Sequence, residues 1–123
     1  MKLLRSFRFA FNGLAYALRT QQNFRIHLVI LFGVVIAGWV LQVNKMEWMF
    51  IIVCAMLVLI LELVNTALEY LCDVVTTELH PGIKIIKDVS AAAVLLGAMG
   101  SVVVGMIIFL PKLATLILTV STL

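Results

Sequence analysis

The sequence predicts an all-α integral membrane protein, an N-terminal amphipathic surface helix followed by three transmembrane helices. Three observations carry this reading. Of 123 residues, 64% are hydrophobic and only 12% charged, against about 25% charged in soluble domains, and the mean hydropathy is +1.21. The apolar residues gather in three stretches, each near the roughly 20 residues a spanning helix needs. The few charges are unevenly distributed, as short loops flanking a membrane require. This composition excludes an ordinary soluble domain, a disordered chain, a fibre and a disulfide scaffold. Cys54 and Cys72 sit inside apolar sequence without CxxC or Cys/His spacing and are read as packed thiols.

The whole chain, 1–123, is expected to form one membrane unit. Residues 1–25 form the surface helix. At about 100° per residue, Leu3, Leu4, Phe7, Phe11, Leu14 and Leu18 share one face, and Lys2, Arg5, Arg8, Asn12 and Arg19 the other. Such a helix lies in the lipid boundary with its cations near anionic headgroups. The rival reading is a secretory signal cleaved after Ala15-Tyr16-Ala17. It fails because Arg8 and Asn12 interrupt the apolar core, and Arg19 and Arg25 follow it.

The first span covers 26–43 and the second 46–75. A cytoplasmic loop is expected over 76–87, a third span over 88–110, and a short apolar tail over 111–123. The second span is long, about 45 Å at 1.5 Å per residue, against a hydrocarbon core of about 30 Å. Its C-terminal end must stand clear of the lipid or tilt. The N-terminal segment and the 76–87 loop carry seven Lys and Arg, namely Lys2, Arg5, Arg8, Arg19, Arg25, Lys84 and Lys87, against Lys45 and Lys112 on the other side. By the positive-inside rule the N-terminus and the His80 loop are cytoplasmic, in a multi-pass protein of the plasma membrane. In the third span Ala93, Gly97, Ser101 and Gly105 recur at every fourth position, a small-residue stripe that lets helices approach closely. No GxGxxG or Walker-type loop occurs anywhere.

The second span holds the unusual chemistry. Taking Glu62 as origin, Thr66 falls at about 40°, Asp73 at about 20°, Glu69 at about 340° and Asn65 at about 300°, so the polar residues share one side. A carboxylate in the membrane costs at least about 2.5 kcal/mol, so the stripe needs water, a cation or a divalent metal. For Asp73, pairing with Lys87, Arg25 or Arg19, or plain solvation, accounts for the charge. For the deeper Glu62 it does not, since a buried ion pair seldom repays its desolvation. Proton relay in a small proton-coupled transporter and acid/base catalysis both remain open at this point. Glu78, His80, Lys87 and Asp88 follow, the last two expected at the start of the third helix, where N–H groups favour phosphate. Carboxylates for a metal beside a lysine for phosphate suggest nucleotide chemistry on a lipid.

The run Glu62-x-x-Asn65-Thr66-Ala67-x-Glu69-x-x-x-Asp73, then His80-Pro81 and Lys87-Asp88-x-x-Ala91-Ala92-Ala93-Val94, resembles the bacterial integral-membrane diacylglycerol kinase family. Asn23-Phe24-Arg25-Ile26-His27, His80-Pro81 and Phe109-Leu110-Pro111-Lys112-Leu113 are more similar to its Gram-positive branch of undecaprenol kinases. The resemblance implies a homotrimer with active sites shared between subunits, and transfer of the γ-phosphate of MgATP to a lipid hydroxyl. The acceptor it implies is undecaprenol, with diacylglycerol as the alternative. It implies Glu62 as general base and Asn65 as the residue orienting base and substrate, with Ala92 beside the substrate. Glu69 would ligate Mg²⁺. Lys2, Arg5, Gln21, Glu69, Glu78, Leu79, His80, Lys87 and Asp88 would contact ATP. One position departs from the family, which has a glutamate as second metal ligand where this chain has Gln21. The neutral amide predicts weaker metal and nucleotide binding. It also leaves a non-catalytic membrane scaffold as an alternative, while a transporter would leave Lys87-Asp88 and Asn65-Thr66 unexplained. No nucleic-acid partner is expected.

Overall fold

A computed structural model describes residues 1–123 as four helices, α1 (Lys2–Thr20), α2 (Gln22–Val40), α3 (Lys45–Val75) and α4 (Pro81–Ser121). The last three are long and apolar enough to cross a membrane. The all-helical, three-span architecture expected from composition is present, and its boundaries differ in three places.

The surface helix ends at Thr20 rather than at residue 25. Gln21 alone is extended, with φ −108° and ψ 107°, and serves as C-cap of α1 and N-cap of α2. Arg25 folds back across this corner, its Nη1 donating to the carbonyls of Leu18 (3.2 Å) and Arg19 (2.9 Å). A cation at the last carbonyls of a helix satisfies acceptors that have no partner inside it. Arg25, counted in the sequence as a topology charge, is therefore also the clasp of the α1–α2 corner.

The α2–α3 connection is a Schellman turn. Val43 N–H donates to Gly38 (3.0 Å) and Gln42 N–H to Trp39 (3.2 Å), the paired bonds that define the motif. Gln42 adopts φ +54°, the left-handed conformation usually given to glycine. Asn44 then caps α3 in a reciprocal box with Glu47, and Glu47 also receives Lys112 of α4 at 3.0 Å. Close packing holds the α2–α3 corner together, since a methyl on Gly38 would come within 2.7 Å of the Trp48 ring.

The expected 76–87 loop is much shorter, and the third span and tail are one helix. Pro81 stands in the first turn of α4, where its missing N–H costs nothing. His80 caps that turn, its Nδ1 accepting from Gly82 N–H at 2.9 Å. The helix then runs 41 residues through Pro111 to Ser121, about 60 Å at 1.5 Å per residue. Pro111 removes one hydrogen bond and does not end the helix.

The four-residue turn makes α2 and α3 antiparallel, and α3 packs most extensively on α4. In the small-residue stripe, a methyl on Gly97 would meet Leu61 Cδ1 at 2.7 Å, whereas Gly105 faces open space. Only part of the stripe is therefore used inside the subunit. Very few side chains are buried, chiefly Val43, Ile51 and Ile108 in one apolar cluster near the α2–α3 turn. Most apolar residues are exposed, as expected of helices solvated by lipid rather than by their own core. Cys72 is buried, Cys54 half-buried, and both are free thiols.

Candidate functional site

The polar stripe of α3 meets α2 on one side and the first turns of α4 on the other. Glu62 is buried, only 3% exposed. Its Oε1 lies 3.2 Å from His27 Nε2 of α2. None of the cations considered as its partner reaches it, and the group that does is an imidazole on the neighbouring span. Thr66 is buried one turn along and donates to the Glu62 carbonyl at 2.9 Å. This back-bond satisfies the hydroxyl without using the carboxylate.

Asn65 lies on the α4 side. Its Nδ2 donates to Glu69 Oε1 at 3.3 Å, and its Oδ1 accepts from Ser90 Oγ of α4 at 2.7 Å. The amide expected to orient Glu62 is thus bonded to Glu69 instead. Asp73 pairs with Lys87 at 2.8 Å across the α3–α4 junction, the partner expected from the sequence. Water reaches both members, so the pair is screened and adds little to stability. Lys84 and Asp88 form an exposed i,i+4 pair on α4.

Because α4 begins at Pro81, Lys87 and Asp88 lie in its second turn and beyond rather than at its start, so phosphate-binding N–H groups are not theirs. Glu78 and Leu79 stand exposed in the 76–80 linker, where Glu78 N–H is held by Thr76 Oγ1 at 3.0 Å. His80 is committed to its cap. Ala92 is exposed on α4, and Lys2 and Arg5 are exposed on the first turn of α1. No side-chain bond of Lys2 or Arg5 ties them to the α3 stripe. Lys2 lies fourteen residues, about 21 Å along α1, from Tyr16, which packs edge-on against Tyr70 of α3 at 6.1 Å.

Gln21 lies six residues before His27, and Glu69 seven after Glu62 on the antiparallel helix. At 1.5 Å per residue these separations are about 9 and 10 Å, so Gln21 and Glu69 share an axial level. No hydrogen bond joins them; the only side-chain bond of Gln21 is a 3.4 Å contact from Nε2 to Thr20, leaving its carbonyl oxygen open to a ligand. No cluster of three or more His, Cys, Asp or Glu side chains exists to hold a metal unaided. Glu69 offers one half-buried carboxylate, and Mg²⁺ takes only one or two protein carboxylates while keeping water and phosphate oxygens in its shell.

An open groove of about 990 Å³ runs between α1 and α3 beside the stripe. Ala10, Gly13 and Ala17 of α1 face Leu63, Ala67 and Leu71 of α3 across it, and Thr66 stands where groove and stripe meet. Its walls are almost wholly apolar and suit a hydrocarbon chain.

Residues 8–109 match the model of the prokaryotic diacylglycerol kinase family. The chain belongs to this family. It is a lipid kinase. An undecaprenol kinase of Bacillus subtilis (strain 168) is 38% identical over 112 residues, covering 91% of each chain. A diacylglycerol kinase of Synechocystis is 44% identical over 115 residues, 93% of this chain and 66% of the relative. A diacylglycerol kinase of Escherichia coli K12 is 31% identical over 103 residues, 83% of this chain and 84% of the relative. Two residues of the site had no role assigned from the sequence. His27 stood within the family-like Asn23–His27 segment without a partner, and Ser90 was one hydroxyl beside a run of alanines.

Proposed function

We propose that this kinase transfers the γ-phosphate of MgATP to the hydroxyl of undecaprenol, giving undecaprenyl phosphate, with the reacting groups at the cytoplasmic side of the plasma membrane. The observation that carries the reading is the buried Glu62 carboxylate, beside His27 and one helical turn from Thr66, which lines an apolar groove. A lipid alcohol whose chain lies between α1 and α3 presents its hydroxyl at the level of Thr66 and Glu62. Glu62 accepts the proton as the hydroxyl oxygen attacks the γ-phosphorus and the bond to the β-phosphate oxygen breaks, releasing ADP, and the adjacent His27 imidazole keeps the accepting carboxylate directed. Mg²⁺, when bound with the nucleotide, would supply positive charge to offset the charge that develops in transfer. Glu69 and the Gln21 carbonyl are the residues to hold it, and Asn65 orients Glu69. Lys87, drawn toward the stripe by Asp73, places a cation beside the phosphates. Positioning and charge neutralisation are most of what phosphoryl transfer requires, so no P-loop is needed.

Undecaprenol is favoured by the end-to-end match to the Bacillus protein, which covers 91% of both chains. Diacylglycerol is the second reading, favoured by the higher identity to the Synechocystis relative. A homotrimer completes the site in this account. Lys2 and Arg5, unattached to the stripe of their own chain, reach the nucleotide of a neighbouring subunit. Purified protein in mixed micelles with γ-labelled ATP and either alcohol tests the assignment. Label in undecaprenyl phosphate in preference to phosphatidic acid is expected; the reverse preference establishes the diacylglycerol reading.

A further inference from the structure

We propose that Ser90 is a positioning residue whose hydroxyl sets which way the Asn65 amide faces, and through it the direction of the Glu69 carboxylate. The inference rests on the kinase reading above for its consequence and on geometry alone for its cause. A side-chain amide has an acceptor end and a donor end of nearly equal shape, and its partners decide which end faces which way. At Asn65 the two ends meet different helices. Ser90 Oγ of α4 reaches Oδ1 at 2.7 Å, and Nδ2 reaches Glu69 Oε1 of α3 at 3.3 Å.

The reversed amide would set Oδ1 against a carboxylate oxygen, two acceptors with no proton between them. Ser90 has one O–H proton and two acceptors in reach, Asn65 Oδ1 and the Lys87 carbonyl at 3.1 Å. The shorter contact to Asn65 takes the proton. Ser90 is itself buried, so water does not readily replace it. The chain Ser90, Asn65, Glu69 therefore has one self-consistent direction of donation, beginning on α4 and ending on the carboxylate proposed to face the nucleotide's metal. A carboxylate oxygen accepting one hydrogen bond keeps lone pairs for a cation, and hydrogen-bonded partners of metal ligands commonly govern affinity by about 10- to 100-fold.

Ser90→Ala removes the donor and frees the amide to turn. In the full-length protein in lipid micelles, the Mg²⁺ concentration for half-maximal rate is expected to rise about 10-fold, with the KM for the lipid alcohol unchanged. The ¹⁵N side-chain amide resonance of Asn65, assigned by its loss in Asn65→Gln, is expected to shift in Ser90→Ala without nucleotide or metal. Ser90→Cys, nearly isosteric with a weak S–H donor, serves if the alanine variant does not fold, and is expected to shift the same resonance. An unmoved Asn65 resonance overturns the proposal. So does lower activity or thermal stability with an unchanged Mg²⁺ requirement, which is the behaviour of a merely structural serine. If wild-type protein phosphorylates neither alcohol while the resonance still moves, the positioning stands and the kinase reading fails.

Discussion

Replacing His27 by alanine leaves the Glu62 carboxylate without its only side-chain partner. The 3.2 Å contact joins a glutamate side chain 4% exposed to an imidazole 23% exposed. Removing one member of a buried pair costs about 3–5 kcal/mol, because the other group stays desolvated and unpaired. The fractional exposure of His27 admits some water, so the lower end applies, about 3 kcal/mol. Replacing both residues, as His27→Ala with Glu62→Leu, removes the unpaired group along with its partner. The double variant is therefore expected to recover about 2 kcal/mol of the summed single losses, a coupling within the range of residues in direct contact. Unfolding in mixed micelles, followed by circular dichroism for the four members of the cycle, measures it. Single losses that add, with coupling below about 0.5 kcal/mol, would refute the claim that α2 and α3 are locked through this pair.

Gln42→Gly relieves a left-handed residue at the Schellman turn and is expected to raise stability by about 0.5–1 kcal/mol in the same assay. Gly38→Ala drives a methyl into the Trp48 ring at 2.7 Å. It is expected to cost a net of about 1 kcal/mol, overpacking of about 2 kcal/mol outweighing a helix-propensity gain near 1 kcal/mol; an unchanged melting temperature would count against that contact. Gln21→Glu adds a charge at the level of Glu69, and the Mg²⁺ requirement of lipid phosphorylation is expected to fall about 10-fold. An unchanged requirement removes Gln21 from the site.

The spans were legible because lipid exposure imposes a composition that few other environments tolerate, and the α3 stripe because a membrane helix has no neutral reason to align Glu62, Glu69 and Asp73. The ends of α4 were harder to read. Pro111 ends helices in water, yet within apolar sequence the loss of one N–H donor is smaller than the gain from keeping Leu110, Leu113 and the residues beyond in helical register. At the other end, Lys84, Lys87 and Asp88 look like a solvated loop, but Lys84 and Asp88 stand four apart and pair along one helix face. The Pro81 start signal, with His80 as its cap, outweighs their polarity. The partners of the site were hidden for a different reason. His27 meets Glu62 across 35 residues of sequence and Ser90 meets Asn65 across 25. Only the antiparallel packing of three spans brings them together, and no spacing within one helix encodes it.

In the proposed reaction Glu62 is the group that takes the lipid hydroxyl's proton. The most direct measurement is transfer of label from γ-labelled ATP to undecaprenol by wild-type protein and by Glu62→Gln, with folding matched by circular dichroism. Wild-type protein is expected to label the lipid. The variant, which keeps the side chain's shape but not its basicity, is expected to be at least about 100-fold slower, the usual minimum contribution of a general base. A folded Glu62→Gln protein that labels undecaprenol at the wild-type rate would contradict the account.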